Sequence, residues 1–281
     1  MIMQVLRILK YHTPKILLYC ILAIVIVITL FPIYWMINTS IKYDRDNLTY
    51  PPVFIPTKFT FKNYISAMET GGGSPIINSI IIASLSTVTA IGLAIPAAYS
   101  LARLKPKWSE SVAFWILSTR MFPPIATVVP LFFLMRPIGL LDTHLGLIIV
   151  HATYNIPFAV WMLRGFLIEI PVEIEESALV DGYSRLATLW KVLLPIITGG
   201  VVVTALFCFA FSWNEFLFAA ILTRISAKTL PVQISKYYGI RGLVWGEMSA
   251  LSVIATVPMI VLAIVLQKYV VRGITFGMVK K

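Results

Sequence analysis

Charge is scarce in this chain: of its 281 residues only 12% are Asp, Glu, Lys or Arg, while 59% are hydrophobic. A water-soluble fold of this length needs more polar surface than that, so the composition excludes an ordinary soluble globule. Cysteine is almost missing as well. Cys20 and Cys208 lie inside apolar runs, where a thiol behaves as a small hydrophobe, and they have neither metal-ligand spacing nor need of a disulfide. His12, His144 and His151 also lack ligand spacing and are expected at membrane edges. No G-x-x-x-x-G-K-[ST], H-E-x-x-H or G-x-S-x-G occurs. The usual phosphate cradle, zinc-peptidase helix and serine elbow are thereby excluded. The Gly71-Gly72-Gly73 run reads instead as a flexible approach to an apolar segment.

What is abundant is length of apolar run, with a mean hydropathy of +0.88. Each crossing of a ~30 Å hydrocarbon layer takes about 20 residues, so the chain holds about six spans and no separate soluble domain. The spans are expected at 16–37, 76–101, 112–135, 145–167, 196–223 and 248–271. Arg7, Lys10 and Lys15 precede the first like the start of a signal peptide. That run is too long for one and lacks a small-x-small cleavage site, so it should remain as an uncleaved helix. The formal charge of +11 comes from short clusters beside the apolar runs, such as Arg103, Lys105 and Lys107, which suits lipid headgroups and not nucleic acid. The bias of these clusters favours cytoplasmic termini.

Between the fourth and fifth runs lies a polar, acid-rich segment. Pro171 disfavours helix in Ile170 and suits a first helical position, so one helix should end there and another begin. Glu173, Glu175 and Glu176 then fall in or near the first turns, where the helix dipole favours anions. Gly182 can take the left-handed conformation that closes the helix, and Ser184 is a candidate N-cap for a second helix with Leu186, Leu189, Trp190 and Val192 towards the bilayer. Anionic headgroups would repel this cluster of acids; a basic protein groove would accept it.

The run Glu176-Ser177-Ala178-Leu179-Val180-Asp181-Gly182, followed by Val192-Leu193-Leu194-Pro195, resembles the EAA loop of membrane subunits of binding-protein-dependent ABC importers. Ser177 departs from that pattern, replacing the usual second Ala with another small residue. Ala97 to Arg103, Asn155 to Phe166, Ser212 to Ala219 and Gln267 to Lys280 resemble the sugar-importing branch, which includes the smaller membrane subunit of maltose/trehalose-type transporters. The resemblance implies an all-α integral membrane protein with six transmembrane helices and the type I ABC importer permease (MetI-like) fold. It implies a cytoplasmic tail 1–15, a first helix and external loop 16–74, a transmembrane domain 75–272 with a coupling loop 168–195, and a cytoplasmic tail 273–281. Glu175, Glu176, Ser177, Ala178, Asp181, Gly182, Leu194 and Pro195 would couple to the ATPase. This chain would be non-catalytic and bind no cofactor. ATP and Mg would sit on two partner ATPase subunits, beside a second, non-identical permease and an extracytoplasmic sugar-binding protein in a prokaryotic cell membrane.

Ionisable and amide groups within spans mark either a path or a helix contact. Arg120 precedes Phe122-Pro123-Pro124, where the helix must break. Tyr154, Asn155, Trp213, Asn214 and Glu215 could present hydrogen bonds and aromatic faces to a sugar, or could hold helices together. For Glu215 a partner on the second permease is expected. The loop 38–74 is expected to meet the binding protein. An ion-coupled secondary transporter, or an ABC permease for a polyol or glycerol phosphate, remains the alternative.

Overall fold

The computed structural model describes residues 2–104, 107–239 and 242–277, with side chains at 17–104, 107–238 and 244–267. Lys105, Arg241, the side chain of His12 and the last residues of the expected C-terminal tail, 278–281, lie outside them. The helices that matter most are α1 (Ile2–Ser40), α2 (Gly73–Tyr99), α3 (Ser109–Thr119), α4 (Pro124–Met135), α5 (His144–Glu169), α6 (Val172–Val180), α7 (Thr198–Trp213), α8 (Leu217–Leu222) and α9 (Trp245–Gly277). Among the described residues four helical runs are long and apolar enough to cross a membrane, and up to 6 if each of two bent pairs counts as one. The third expected span is one of those bent pairs; the other joins the loop helix to α7, so its bend falls at the very start of the fifth expected span. In the third, Pro123 and Pro124 break the chain between α3 and α4 through 83°. In the fifth, the helical run Arg185–Ile196 meets α7 at 83°, and α7 itself stops at Trp213 rather than running on to Thr223.

The described residues divide into two compact units, one within 1–70 and 237–254, the other within 71–236 and 255–277. The first therefore includes a late segment that the sequence boundaries at 16–74 and 75–272 did not separate. Within it the loop after α1 is braced by side-chain amides. Asn38 Nδ2 donates to Phe54 O at 2.7 Å, and Asn63 Nδ2 donates to Ser40 O at 2.9 Å and Lys42 O at 2.8 Å. Lys42 is 1% exposed, its ammonium 4.4 Å from the Trp35 ring centroid. A two-residue antiparallel pairing, Tyr238 with Leu243 and Gly239 with Gly242, also belongs to this unit. In the glycine run the chain kinks at Gly71, whose φ is +93°, before α2 begins at Gly73.

In the second unit α2 packs against α5 and α7. The reason is a stripe of small side chains at helical spacing: Ala83, Ala90, Ala94 and Ala98 are all 0% exposed. Lipid gives helices no hydrophobic drive to associate, so close backbone approach and dense van der Waals contact must do so. The same demand fixes Gly200 on α7, where an added Cβ would lie 2.5 Å from the Phe166 ring of α5. Leu163 and Leu167 of α5 pack in one buried cluster with Leu189 and Leu193 from the polar loop's second helix. A second cluster joins Ile82, Val128, Leu147, Val150, Phe218 and Leu222.

Asp142 ties two connecting segments together. Its φ of +56° is one that Asp tolerates better than most side chains. Its carboxylate accepts from the backbone N–H of Arg224, Ile225, Ser226 and Ala227 at 2.9 to 3.2 Å. Burial alone would raise this carboxyl, but the four donors outweigh it and bring its pKa down to about 2. A group lowered on folding contributes stability that is complete above its unfolded value of ~3.9 and lost as pH falls through its folded one. Hydrogen-exchange protection of these four amides should therefore fade between about pH 4 and pH 2. At neutral pH Asp142→Asn should speed their exchange about tenfold or more; unchanged rates would show that the carboxylate does not hold the segment.

Candidate functional site

The acid-rich segment folds as a short helix, a glycine turn and a second helix. Pro171 stands one residue earlier than expected, at the N-cap with ψ 138°, and α6 begins at Val172. Gly182 has φ +90°, the left-handed turn expected of it. Ser184 caps the next helix, its Oγ accepting from Ala187 N at 3.3 Å. Glu173, Glu176, Ser177, Asp181 and Gly182 are exposed, and Val180 is 87% exposed. Ala178, 6% exposed, faces the interior. Leu194 packs on the main buried cluster, and Pro195 is exposed at the end of the loop helix, just before the bend into α7. On the second helix Leu189 is 1% exposed, whereas Trp190 is 52% exposed.

Glu175 does not share the exposed face. Successive residues on a helix point about 100° apart, so the adjacent acids Glu175 and Glu176 face opposite environments. Tyr99 Oη donates to Glu175 Oε1 at 2.6 Å. Arg103 Nε pairs with Glu175 Oε2 at 3.2 Å, the two side chains being 5% and 6% exposed. Arg103 Nη2 also donates to Ile170 O at 2.7 Å, at the C-cap of α5. Breaking such a buried pair by removing one partner costs about 3–5 kcal/mol, because the remaining charge stays buried. The sequence carried a signal for this group that composition did not reveal: Tyr99 and Arg103 are four residues apart and so share a helical face.

The polar groups expected within spans separate into two sets. Asn155, 1% exposed, donates to Ser212 Oγ at 2.9 Å and Cys208 O at 3.1 Å, and Ser212 in turn meets Ser86 Oγ at 2.9 Å. This amide joins α5 to α7 and α2. Trp213 is also a helix contact, its Nε1 donating to Ala255 O at 3.0 Å and its ring stacked on Phe209. Arg120 stands at the elbow between α3 and α4, its guanidinium 4.2 Å from the Phe211 ring centroid, 4.9 Å from Tyr154 and 5.1 Å from Phe158. Asn214 is exposed and donates to Ala210 O at 2.8 Å.

Glu215 sits in the break between α7 and α8, not within a span helix. Its Oε1 accepts from Phe218 N at 2.8 Å and its Oε2 from Ala219 N at 3.1 Å, which satisfies first-turn donors of α8. His151 Nε2 lies 3.3 Å from Oε2. The partner expected from a second permease is thus supplied by the same chain. His151, 2% exposed, is a buried residue and not an interfacial one. Its position four residues before Asn155, on one face of α5, was the signal that could have found it. The cavity bordered by His151, Tyr154, Asn155 and Glu215 holds about 10 Å³, one water's worth of room and far too little for a sugar ring.

Glu215→Gln keeps the shape but removes the charge that serves two N–H groups and His151. It should lower stability by about 1.5–3 kcal/mol and reduce every transported solute in the same proportion. Melting of the purified protein together with uptake of two competing sugars checks this. A changed sugar preference at unchanged melting temperature would contradict it.

Comparison with known proteins follows the same geometry. Residues 90–276 match the family described as binding-protein-dependent transport system inner membrane component. The chain is 37% identical to the probable ABC transporter permease protein y4oR of Sinorhizobium fredii, over 94% of each chain. It is 34% identical to the trehalose/maltose transport system permease protein MalG of Thermococcus litoralis, over 90% of this chain and 92% of that one. In fold it is similar to a chain of a bacterial ABC transporter involved in the import of the acidic polysaccharide alginate, with a TM-score of 0.77 at 25% identity, covering 92% of this chain and 97% of that one. A helical design of four to six spans, an exposed acidic helix-turn-helix and matches over nearly the whole length lead to one conclusion: the chain belongs to the binding-protein-dependent transport system inner membrane components, the permease subunits of ABC importers.

Proposed function

We propose that this chain forms half of the translocation pathway for a sugar, an oligosaccharide of the maltose or trehalose kind, and couples it to ATP hydrolysis on partner chains. The observation that carries the reading is the outer face of α6, where Glu173, Glu176 and Val180 stand exposed beside the Gly182 turn. An exposed acidic helix with an apolar tip suits a groove that offers Arg or Lys together with an apolar pocket. That groove would belong to an ATPase subunit, two of which would bind ATP and Mg below the membrane. Both termini would then be cytoplasmic, in a prokaryotic inner membrane. The permease named for trehalose and maltose transport supports the sugar class, as does the similar fold of the alginate importer.

The one-water cavity among the polar residues supports a sugar path that runs between two permease chains, of which the second would be non-identical. Arg120, Tyr154 and Asn214, each at least partly exposed, are the groups that would face it. A binding protein outside would deliver the sugar, and closure of the ATPases would drive rigid-body alternation between outward and inward openings. Replacing Glu176 by Lys puts a cation before a basic groove. A charge-assisted contact is worth about 1.5–3 kcal/mol, so Glu176→Lys should lower ATPase recovery in the purified complex, or sugar-stimulated hydrolysis, by about tenfold or more. Wild-type recovery and uptake in that variant would refute the docking reading.

A further inference from the structure

For a push on α6 to open a path, the helix needs a stiff connection to the spans. Its backbone connections are poor ones. At one end stands Pro171, and at the other the Gly182 turn with φ +90°. With 9 residues, α6 is also shorter than the length at which a helix is stable by itself. Its inward side presents Ala178, too small to act as a lever, Ile174, partly buried against the main cluster, and Glu175, the one inward group held by directed polar contacts.

Glu175 is held from two directions, by Tyr99 Oη at 2.6 Å and Arg103 Nε at 3.2 Å. Arg103 lies in the π turn Ser100–Leu104 that ends α2, and its second contact is the carbonyl of Ile170 at the end of α5. One carboxylate and one guanidinium therefore join three elements: the exposed loop helix, α2 and α5. The last two form the packed centre of the second unit through the alanine stripe. Arg185, from the loop's second helix, borders the same cleft as Arg103, Glu175 and Glu176.

We propose that Tyr99, Arg103 and Glu175 form an internal clamp that carries the movement of α6 into α2 and α5, so that Glu175 is a positioning residue for transport while Glu176 meets the partner. This rests on the reading of α6 as the ATPase-docking helix. The two adjacent acids divide the work by the angle between them, one gripping outward and one inward. A clamp of ion pair and hydrogen bonds also suits a joint that must stay closed in both transport states, since a buried charge has no solvated alternative.

The full complex, with partner permease, ATPases and binding protein, is reconstituted in vesicles carrying Glu175→Gln or Arg103→Gln. Three quantities are read: ATPase recovered per permease, melting temperature, and sugar moved per ATP hydrolysed. Both variants should recover ATPase as wild type does and move about fivefold less sugar per ATP, or lower still. A purely structural role would lower the melting temperature and both rates together and leave the ratio unchanged; that result overturns the clamp. Loss of ATPase recovery in Glu175→Gln, to the degree seen for Glu176→Lys, also overturns it, because Glu175 would then belong to the docking face. Should the Gln variants fail to accumulate, Tyr99→Phe removes one hydrogen bond from the same carboxylate and must itself lower the ratio; an unchanged ratio there refutes the proposal. If the wild-type complex carries no ATPase, the docking reading fails and not the clamp alone.

Discussion

Every helix break within the membrane frees backbone groups that lipid cannot satisfy, and the architecture follows from how this chain answers that demand. After α7 stops at Trp213, the first donors of α8 are taken by the Glu215 carboxylate, and the His151 ring of α5 stands 3.3 Å from it. At the elbow between α3 and α4 the guanidinium of Arg120 rests among three aromatic rings. Asn155 bridges α5 and α7 where a purely apolar contact would leave Ser212 without its donor. These groups look like a row of sugar-binding side chains in sequence. In space most of them are occupied in keeping bent helices together.

The acid-rich loop shows the same economy with the opposite outcome. Its acids are not all alike, because a helix with one face against protein and one face free gives neighbouring residues different surroundings. Glu176 and Asp181 remain exposed, while Glu175 is enclosed by Tyr99 and Arg103. The loop is thereby attached to the packed helices by its first turn and by Leu189 and Leu193 of its second helix. An element that is both exposed and firmly anchored is what a force-bearing contact needs.

Much of this was legible in the sequence because the signals are local. Pro123-Pro124 announced the elbow, Gly182 the left-handed turn, and Ser184 the cap, each through the backbone chemistry of one or two residues. Hydropathy found all the apolar runs, but it could not show that the fifth is interrupted at Asn214, since a break healed by a side chain leaves the run as apolar as before. His151 and the partners of Glu175 were missed for a related reason. Their roles depend on residues 64 and more than 70 positions away, at Glu215, Tyr99 and Arg103; the four-residue spacings mark a shared helix face but not which distant residue meets it.

The central claim is that the outer face of α6 is the surface gripped by an ATPase partner. The most direct measurement places a photoreactive side chain at position 176 in one protein and at position 178 in another, then irradiates each assembled complex. Position 176, which is exposed, should give a covalent adduct with the ATPase, and position 178, where Ala178 is 6% exposed, should link only within the permease. Equal ATPase adducts from both positions, or none from position 176, would contradict the account.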